Sequence, residues 1–168
     1  PGGLTVFTLA TAFVAGADAA RTATDLDAWI RGQLSAHTQE IDGLVVDGNR
    51  NTLFGIGLNP DGTPNVPPNS PTVDLEVFDI MRARDHGVWS YNKLREGMGL
   101  DTYDSFEDFA YDNGIDTASD RYADLVAVYG DDIEKLDAII GGLLEKKYYD
   151  SQLGETFTKL IAYQFENI

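Results

Sequence analysis

Residues 74–87 read DLEVFDIMRARDHG, and residues 91–95 read YNKLR. Together they hold four of the 12 basic residues of a chain whose charged side chains are mostly acidic. Apolar residues recur at helical spacing in the first segment, which predicts a helix over 72–84 with Thr72 as its N-cap. After a break, the pattern predicts a second helix over 89–95.

The arginines of this region are expected to have anionic partners, because cations concentrated in this way are normally paired with carboxylates. One interpretation is a buried ion-pair cluster at the helix end, in which Asp85 pairs with Arg84 or Arg95. A bound carboxylate ligand and a partner chain are the other two interpretations. The types of residue present do not decide among these three interpretations.

The remainder of the chain predicts further helices joined by long irregular connections. No alternation of period two persists beyond a few residues, so the fold class is mainly α. Helices are predicted over 25–37, 118–129, 132–136 and 155–165, with short helical turns over 101–116, a weaker helix over 38–54, an apolar helix or extended segment over 4–20, and a break at Gly141-Gly142.

Residues 55–71 form the clearest loop, since the turn sequence Asn59-Pro60-Asp61-Gly62 and the four prolines that follow it disfavour regular structure. Composition does not shift across this loop. We therefore predict a surface loop within a single domain that covers residues 1–168.

Composition argues against several classes of function. The formal net charge is −16, which argues against nucleic-acid binding and against docking on anionic lipid. The sequence has no cysteine, so thiolate metal sites and cysteine nucleophiles are excluded. It has no run of about 18 apolar residues, so no membrane span is predicted.

With only His37 and His86 available, we predict no metal site, and we expect His86 to be a buried, hydrogen-bonded residue.

The motif at 74–95 resembles a motif of the animal-type heme peroxidases, a superfamily that includes mammalian and many bacterial members. Further resemblances follow in family order along residues 8–166: 9–13 (LATAF), 30–34 (IRGQL), 45–55, 129–130, 136–137, 141–145 (GGLLE), 154, 157 and 164–165. The resemblance implies the C-terminal portion of a helical heme peroxidase domain. It also implies that the axial histidine and the distal histidine and arginine lie outside this chain.

The resemblance implies roles for four residues of the predicted helix. Asp79 stands where the family normally has an asparagine that accepts a hydrogen bond from the imidazole bound to iron, so we take Asp79 as the catalytic candidate. A carboxylate there would increase the basicity of that imidazole. Arg82 matches the arginine that reaches the heme propionates, and Leu75 and Phe78 would pack on the porphyrin. Pairing of Asp79 with a nearby arginine and ordinary core packing of Leu75 and Phe78 are the alternatives.

The same resemblance assigns a structural role to Arg84, Asp85, Tyr91, Asn92 and Arg95, which would stabilise the turn between the two helices. Gly141-Gly142 is interpreted as a site of close approach or of positive φ.

The function implied is that of a heme-dependent peroxidase that reduces hydrogen peroxide and oxidises small-molecule donors. The expected partner is the rest of the peroxidase domain, as an upstream segment or a second chain, and the expected location is extracellular. A fatty-acid oxygenase of the same superfamily and a non-catalytic, peroxidase-like binding module are the alternatives.

Overall fold

A computed structural model describes residues 26–35, 37, 40–45, 57–58, 64–65 and 74–168 of the chain. The predicted segment 4–20 lies outside these residues. The chain falls into two compact units, of which the first comprises residues 1–39 and 44–79 and the second residues 40–43 and 80–168.

The described part of the first unit contains one complete helix and a short hairpin ladder. Helix α1 spans Leu26–Ser35, inside the predicted 25–37. Strands β1, Gly57–Leu58, and β2, Pro64–Asn65, pair antiparallel with Leu58 opposite Pro64. A two-residue ladder therefore forms within the predicted loop 55–71. Proline is tolerated there because a ladder this short requires few backbone donors.

Helix α2, Leu75–Asp85, begins in the first unit and ends in the second. A carboxylate oxygen of Asp74 accepts hydrogen bonds from the backbone N–H groups of Glu76 and Val77, at 3.1 and 3.2 Å. The predicted N-cap Thr72 lies outside the described residues, and the capping side chain is that of Asp74. Aspartate at this position also interacts favourably with the helix dipole.

The second unit contains the remaining helices of the described chain, and two of them are capped at both ends. Ser105 and Ser119 accept hydrogen bonds from the third residue beyond them, while Gly114 and Gly130 end their helices with φ near +69°. The helices are α3, Tyr91–Gly97; α4, Phe106–Asn113; α5, Asp120–Tyr129; a 3-10 turn, Ile133–Lys135; α6, Ala138–Leu144; and α7, Glu155–Glu166.

The core of the second unit lies among α3, α4, α5 and the 3-10 turn. It is built from seven buried side chains: Tyr91, Phe106, Phe109, Leu125, Tyr129, Ile133 and Leu136. The ring of Tyr91 meets that of Phe109 edge to face at 5.4 Å, a geometry that aromatic pairs prefer.

Two predictions about helix limits were wrong. Gly141 and Gly142 do not interrupt a helix but lie inside α6, where both are buried. An added Cβ would collide with the ring of Tyr91 at Gly141 and with that of Phe157 at Gly142, so the close approach predicted for this pair is confirmed. The described part of the predicted helix 38–54, residues 40–45, is not helical, as expected where Gly43 lowers helix propensity.

Candidate functional site

Helix α2 carries all four residues that the sequence assigns to a cofactor. At 100° per residue, Leu75, Phe78, Asp79 and Arg82 lie within about 100° of one another, along one side of the helix. Phe78 is 55% exposed and Arg82 is exposed, while Leu75 and Asp79 are half-buried. None of the residues of α2 is buried. Phe78 is therefore not an ordinary core residue here, and Leu75 is covered only in part.

Arg84 lies on the opposite side of α2 and binds a carboxylate from the start of α6. Its Nε donates to Asp137 Oδ1 at 2.9 Å, and its Nη2 donates to Oδ2 at 2.6 Å. The hydroxyl of Tyr129 donates to the same Oδ2 at 2.7 Å. We call these three residues the Arg84 cluster. The hydrogen bonds from Arg84, followed by that from Tyr129, hold the pKa of Asp137 below its ordinary value of 3.8.

A second group of polar side chains is buried between α3, α6 and α7, and we call it the Arg95 cluster: Tyr91, Arg95, Glu145 and Thr156. The side chains of Arg95 and Glu145 are 5% and 3% exposed, and Nη1 of Arg95 donates to Glu145 Oε1 at 2.8 Å. The Tyr91 hydroxyl donates to the same oxygen at 2.5 Å, and the Thr156 hydroxyl also donates to it. Each buried polar group therefore has the partner that burial requires.

Burial and the neighbouring carboxylate act together on the phenol of Tyr91. Loss of solvation, followed by the charge of Glu145, raises the pKa of Tyr91 well above its ordinary value. Tyr91 therefore remains protonated and serves as a hydrogen-bond donor to Glu145.

These contacts correct three expectations. Arg84 and Arg95 pair with Asp137 and Glu145, not with Asp85, which is exposed at the end of α2. His86 is exposed rather than buried, because it lies in the turn that Gly87 forms with φ +69°. Arg84, Tyr91, Asn92 and Arg95 make structural contacts, but not the predicted ones across the turn between α2 and α3. Their side chains bind instead to Asp137, Glu145 and Tyr103.

Asn92 shows how this structural role works beyond the turn itself. Its side-chain amide donates to the carbonyl oxygen of Tyr103 at 2.8 Å and accepts from the N–H of Tyr103 at 3.2 Å. Asn92 thereby holds the segment between α3 and α4 against α3.

Sequence reasoning did not identify Asp137, Glu145 and Thr156 as partners of the arginines. With 28 acidic residues in the chain, composition cannot single out two carboxylates. Asp137 and Glu145 do occur in the motifs that resemble the peroxidases, which was a usable signal. Thr156 had none.

The donor set on α2 fits the periphery of a heme but not its iron. A guanidinium binds carboxylates such as propionates, and an exposed phenyl ring can pack on a porphyrin. Among the described residues, no group of three or more His, Asp or Glu side chains could hold a metal ion. Within the same part of the chain, no helix has the length and apolar character needed to cross a bilayer.

Comparison with known proteins places this helical arrangement among the peroxidases. The solved structure of peroxidase A from Dictyostelium discoideum matches with a TM-score of 0.64 and 30% sequence identity, over 82% of this chain and 23% of that chain. Peroxinectin A of Dictyostelium discoideum is 30% identical over 81% of this chain. The alpha-dioxygenase PIOX of Oryza sativa is 35% identical over 60% of this chain.

The family model for animal haem peroxidase matches residues 5–168, and the chain belongs to that family. The chain spans 22% of the length of peroxinectin A and 15% of that of the rice dioxygenase.

Proposed function

We propose that this chain is part of a heme-dependent peroxidase that reduces hydrogen peroxide and oxidises small-molecule donors. In this proposal the chain supplies the proximal-side support of the heme pocket. The observation that carries the proposal is the side of α2 that holds Leu75, Phe78, Asp79 and Arg82, which we call the stripe. On it, the exposed side chains of Arg82 and Phe78 lie on the same side of the helix as the carboxylate of Asp79. The family match over residues 5–168 supports the same assignment.

Each residue of the stripe has a distinct role in the proposal. Arg82 would bind a propionate with its guanidinium, Phe78 and Leu75 would contact the porphyrin, and Asp79 would accept a hydrogen bond from the imidazole that ligates iron. When bound, heme supplies the redox chemistry of peroxide reduction and donor oxidation. The axial imidazole comes from the rest of the peroxidase domain, as an upstream segment or a second chain. An extracellular location belongs to the same proposal.

An absorption spectrum of the protein purified from its natural source, with mass spectrometry of every chain present, tests this proposal. A Soret band in a species that contains this chain together with further peroxidase sequence is the expected result. A heme-free species of this chain alone would overturn it and favour the non-catalytic module. Heme added to the 168-residue chain alone should give little or no peroxidase turnover.

A fatty-acid oxygenase is the second candidate, favoured by the similarity to the rice alpha-dioxygenase. The two activities consume different oxidants. Oxygen uptake with a long-chain fatty acid, measured without peroxide, would support the oxygenase. Peroxide-dependent oxidation of a phenolic donor without oxygen uptake would support the peroxidase.

A further inference from the structure

We propose that Asp137 is a positioning residue for the candidate heme-facing side of α2, acting through Arg84. The inference rests on the proposed function for the role of that side. It requires only the second unit for the geometry, because Met81, Arg82, Arg84, Tyr129 and Asp137 all belong to it.

The first step of the argument is the placement of Arg84 on the helix. Arg82 and Arg84 are two residues apart, so their side chains leave α2 about 200° from each other. Arg84 can therefore be bound by the body of the second unit while Arg82 stays exposed on the other side. A contact on this side cannot compete with a ligand of Arg82.

The second step is the geometry of the contact. Two parallel N–H to oxygen bonds, at 2.9 and 2.6 Å, join the guanidinium to both oxygens of Asp137. Such a bidentate pair restricts rotation as well as distance, which a single hydrogen bond does not. Since an α-helix is a continuous rod, fixing Arg84 fixes the direction in which Arg82 leaves it.

The third step is that Asp137 is itself held in place. Its side chain is 12% exposed and accepts a third hydrogen bond from Tyr129, a core residue. The backbone around it is also fixed, because the N–H of Tyr91 donates to the carbonyl oxygen of Leu136 at 2.8 Å. By contrast, α2 has no buried side chain of its own. The Arg84 cluster therefore connects a helix without a buried side to a rigid part of the core.

The 168 residues contain no cysteine, so cysteines introduced into them for spin labelling compete with no other thiol in this part of the protein. We would label Met81→Cys on α2 and Val128→Cys on α5, both at exposed positions, and measure the distance distribution between the labels by double electron–electron resonance. The unmodified cluster should give one narrow distribution. Arg84→Gln should broaden it at least about twofold, as for an element released into local motion.

Two further variants separate the ion pair from general damage. The reversed pair Arg84→Glu with Asp137→Arg should narrow the distribution again, although not fully, because arginine cannot accept the hydrogen bond that Tyr129 donates to Asp137. Asp132→Asn, which removes the surface ion pair with Lys135, should leave the distribution unchanged. Far-UV circular dichroism confirms that each variant is folded. An unchanged distribution in Arg84→Gln overturns the proposal.

The positioning role also predicts a change at the heme of the full-length protein. Arg84→Gln should shift the Soret band and the Fe(III)/Fe(II) potential, and the reversed pair should partly restore both. Broadening of the label distances without any change at the heme would make the Arg84 cluster merely structural. A full-length protein that binds no heme would overturn the proposed function, while the label distances alone would still decide whether Asp137 holds α2.

Discussion

In the proposed function, the carboxylate of Asp79 stands where the family normally has a neutral amide that accepts a hydrogen bond from the imidazole bound to iron. An ionised acceptor draws the imidazole N–H more strongly, which increases electron donation to iron and favours the ferric state. We therefore expect Asp79→Asn in the full-length, heme-bound protein to raise the Fe(III)/Fe(II) potential, as measured by spectroelectrochemical titration.

Asp85→Asn is the matched control, because it removes the same charge from the exposed end of the same helix. Its potential should stay close to that of the unmodified protein. Equal potentials for Asp79→Asn and the unmodified protein would mean that Asp79 does not act on the axial ligand.

Glu145 is the residue on which the Arg95 cluster depends, since it accepts hydrogen bonds from Tyr91, Arg95 and Thr156. Glu145→Gln keeps the shape of the side chain but leaves the charge of Arg95 buried without its main partner. We expect the free energy of unfolding to fall by about 3–5 kcal/mol, as when one member of a buried ion pair is removed. Urea unfolding followed by circular dichroism measures it.

Glu155→Gln provides the comparison for this variant. Glu155 also contacts Arg95, at 3.3 Å, but its side chain is 32% exposed. A loss of at most about 1 kcal/mol is expected there, because water reaches the carboxylate of Glu155 and screens its charge. Equal losses in the two variants would contradict the dominant role assigned to Glu145.

At the scale of the secondary-structure elements, α6 can pack against its neighbours only because two of its residues are glycines. A Cβ at Gly141 would overlap the ring of Tyr91, which is fully buried and cannot move aside. Gly141→Ala should therefore lower the free energy of unfolding by about 1–3 kcal/mol, the usual cost of overpacking. The midpoint of thermal or urea unfolding reports the change.

Gly32→Ala in α1 is the opposite case, because an added Cβ there meets no atom within 4 Å. Alanine in an exposed helix position is expected to stabilise the protein by up to about 1 kcal/mol. A stabilised Gly141→Ala variant would show that α3 and α6 can separate at little cost.

The elements show where sequence information was sufficient. The helical period predicted α1, α5 and α7 to within a few residues, because a helix records its apolar face locally. The region of α4 was predicted only as short helical turns, although Ser105 and Gly114 cap one continuous helix there. The sequence predicted a break at the glycines of α6, because helix propensity disfavours them and only the rings of Tyr91 and Phe157, distant in sequence, explain them. The partners of Arg84 and Arg95 were missed for the same reason. The resemblance to a family, and not periodicity, identified the candidate site on α2.

For the second unit as a whole, we expect a loss of stability in acid because two of its aspartates are stabilised in the ionised form. Hydrogen bonds from Arg84 and Lys146 hold the pKa values of Asp137 and Asp112 below their ordinary 3.8. As the pH falls, the unfolded chain therefore binds these two protons before the folded protein does. The stabilisation is complete well above pH 3.8 and is lost as the pH falls through the lower pKa values of the folded state.

The urea midpoint, followed from neutral to acidic pH, measures this loss. The double variant Arg84→Gln with Lys146→Gln lacks both cations, so its midpoint should depend less steeply on pH in that range. An equally steep dependence would contradict the assignment.

At alkaline pH, the ionisation of buried tyrosine side chains limits the stability of the folded protein. Burial, followed by the hydrogen bond to a carboxylate, raises the pKa values of Tyr103 and Tyr129 to about 12, from an ordinary value of 10.0. The folded state therefore retains these protons longer, and the stability they confer is lost as the pH rises from 10.0 to about 12. Phenolate absorbance should show a late step that shrinks in Tyr129→Phe and in Tyr103→Phe.

The two arginine clusters also bear on how quickly the chain folds and unfolds. Arg95 and Glu145 are 50 residues apart, and Arg84 and Asp137 are 53 apart. Closing a loop of this length costs about 2 kcal/mol more than closing one of about five residues. We therefore expect both pairs to form after the folding transition state, so that removing either one accelerates unfolding more than it slows folding. Charged contacts of this kind would lengthen the lifetime of the native state without setting the rate at which it is reached.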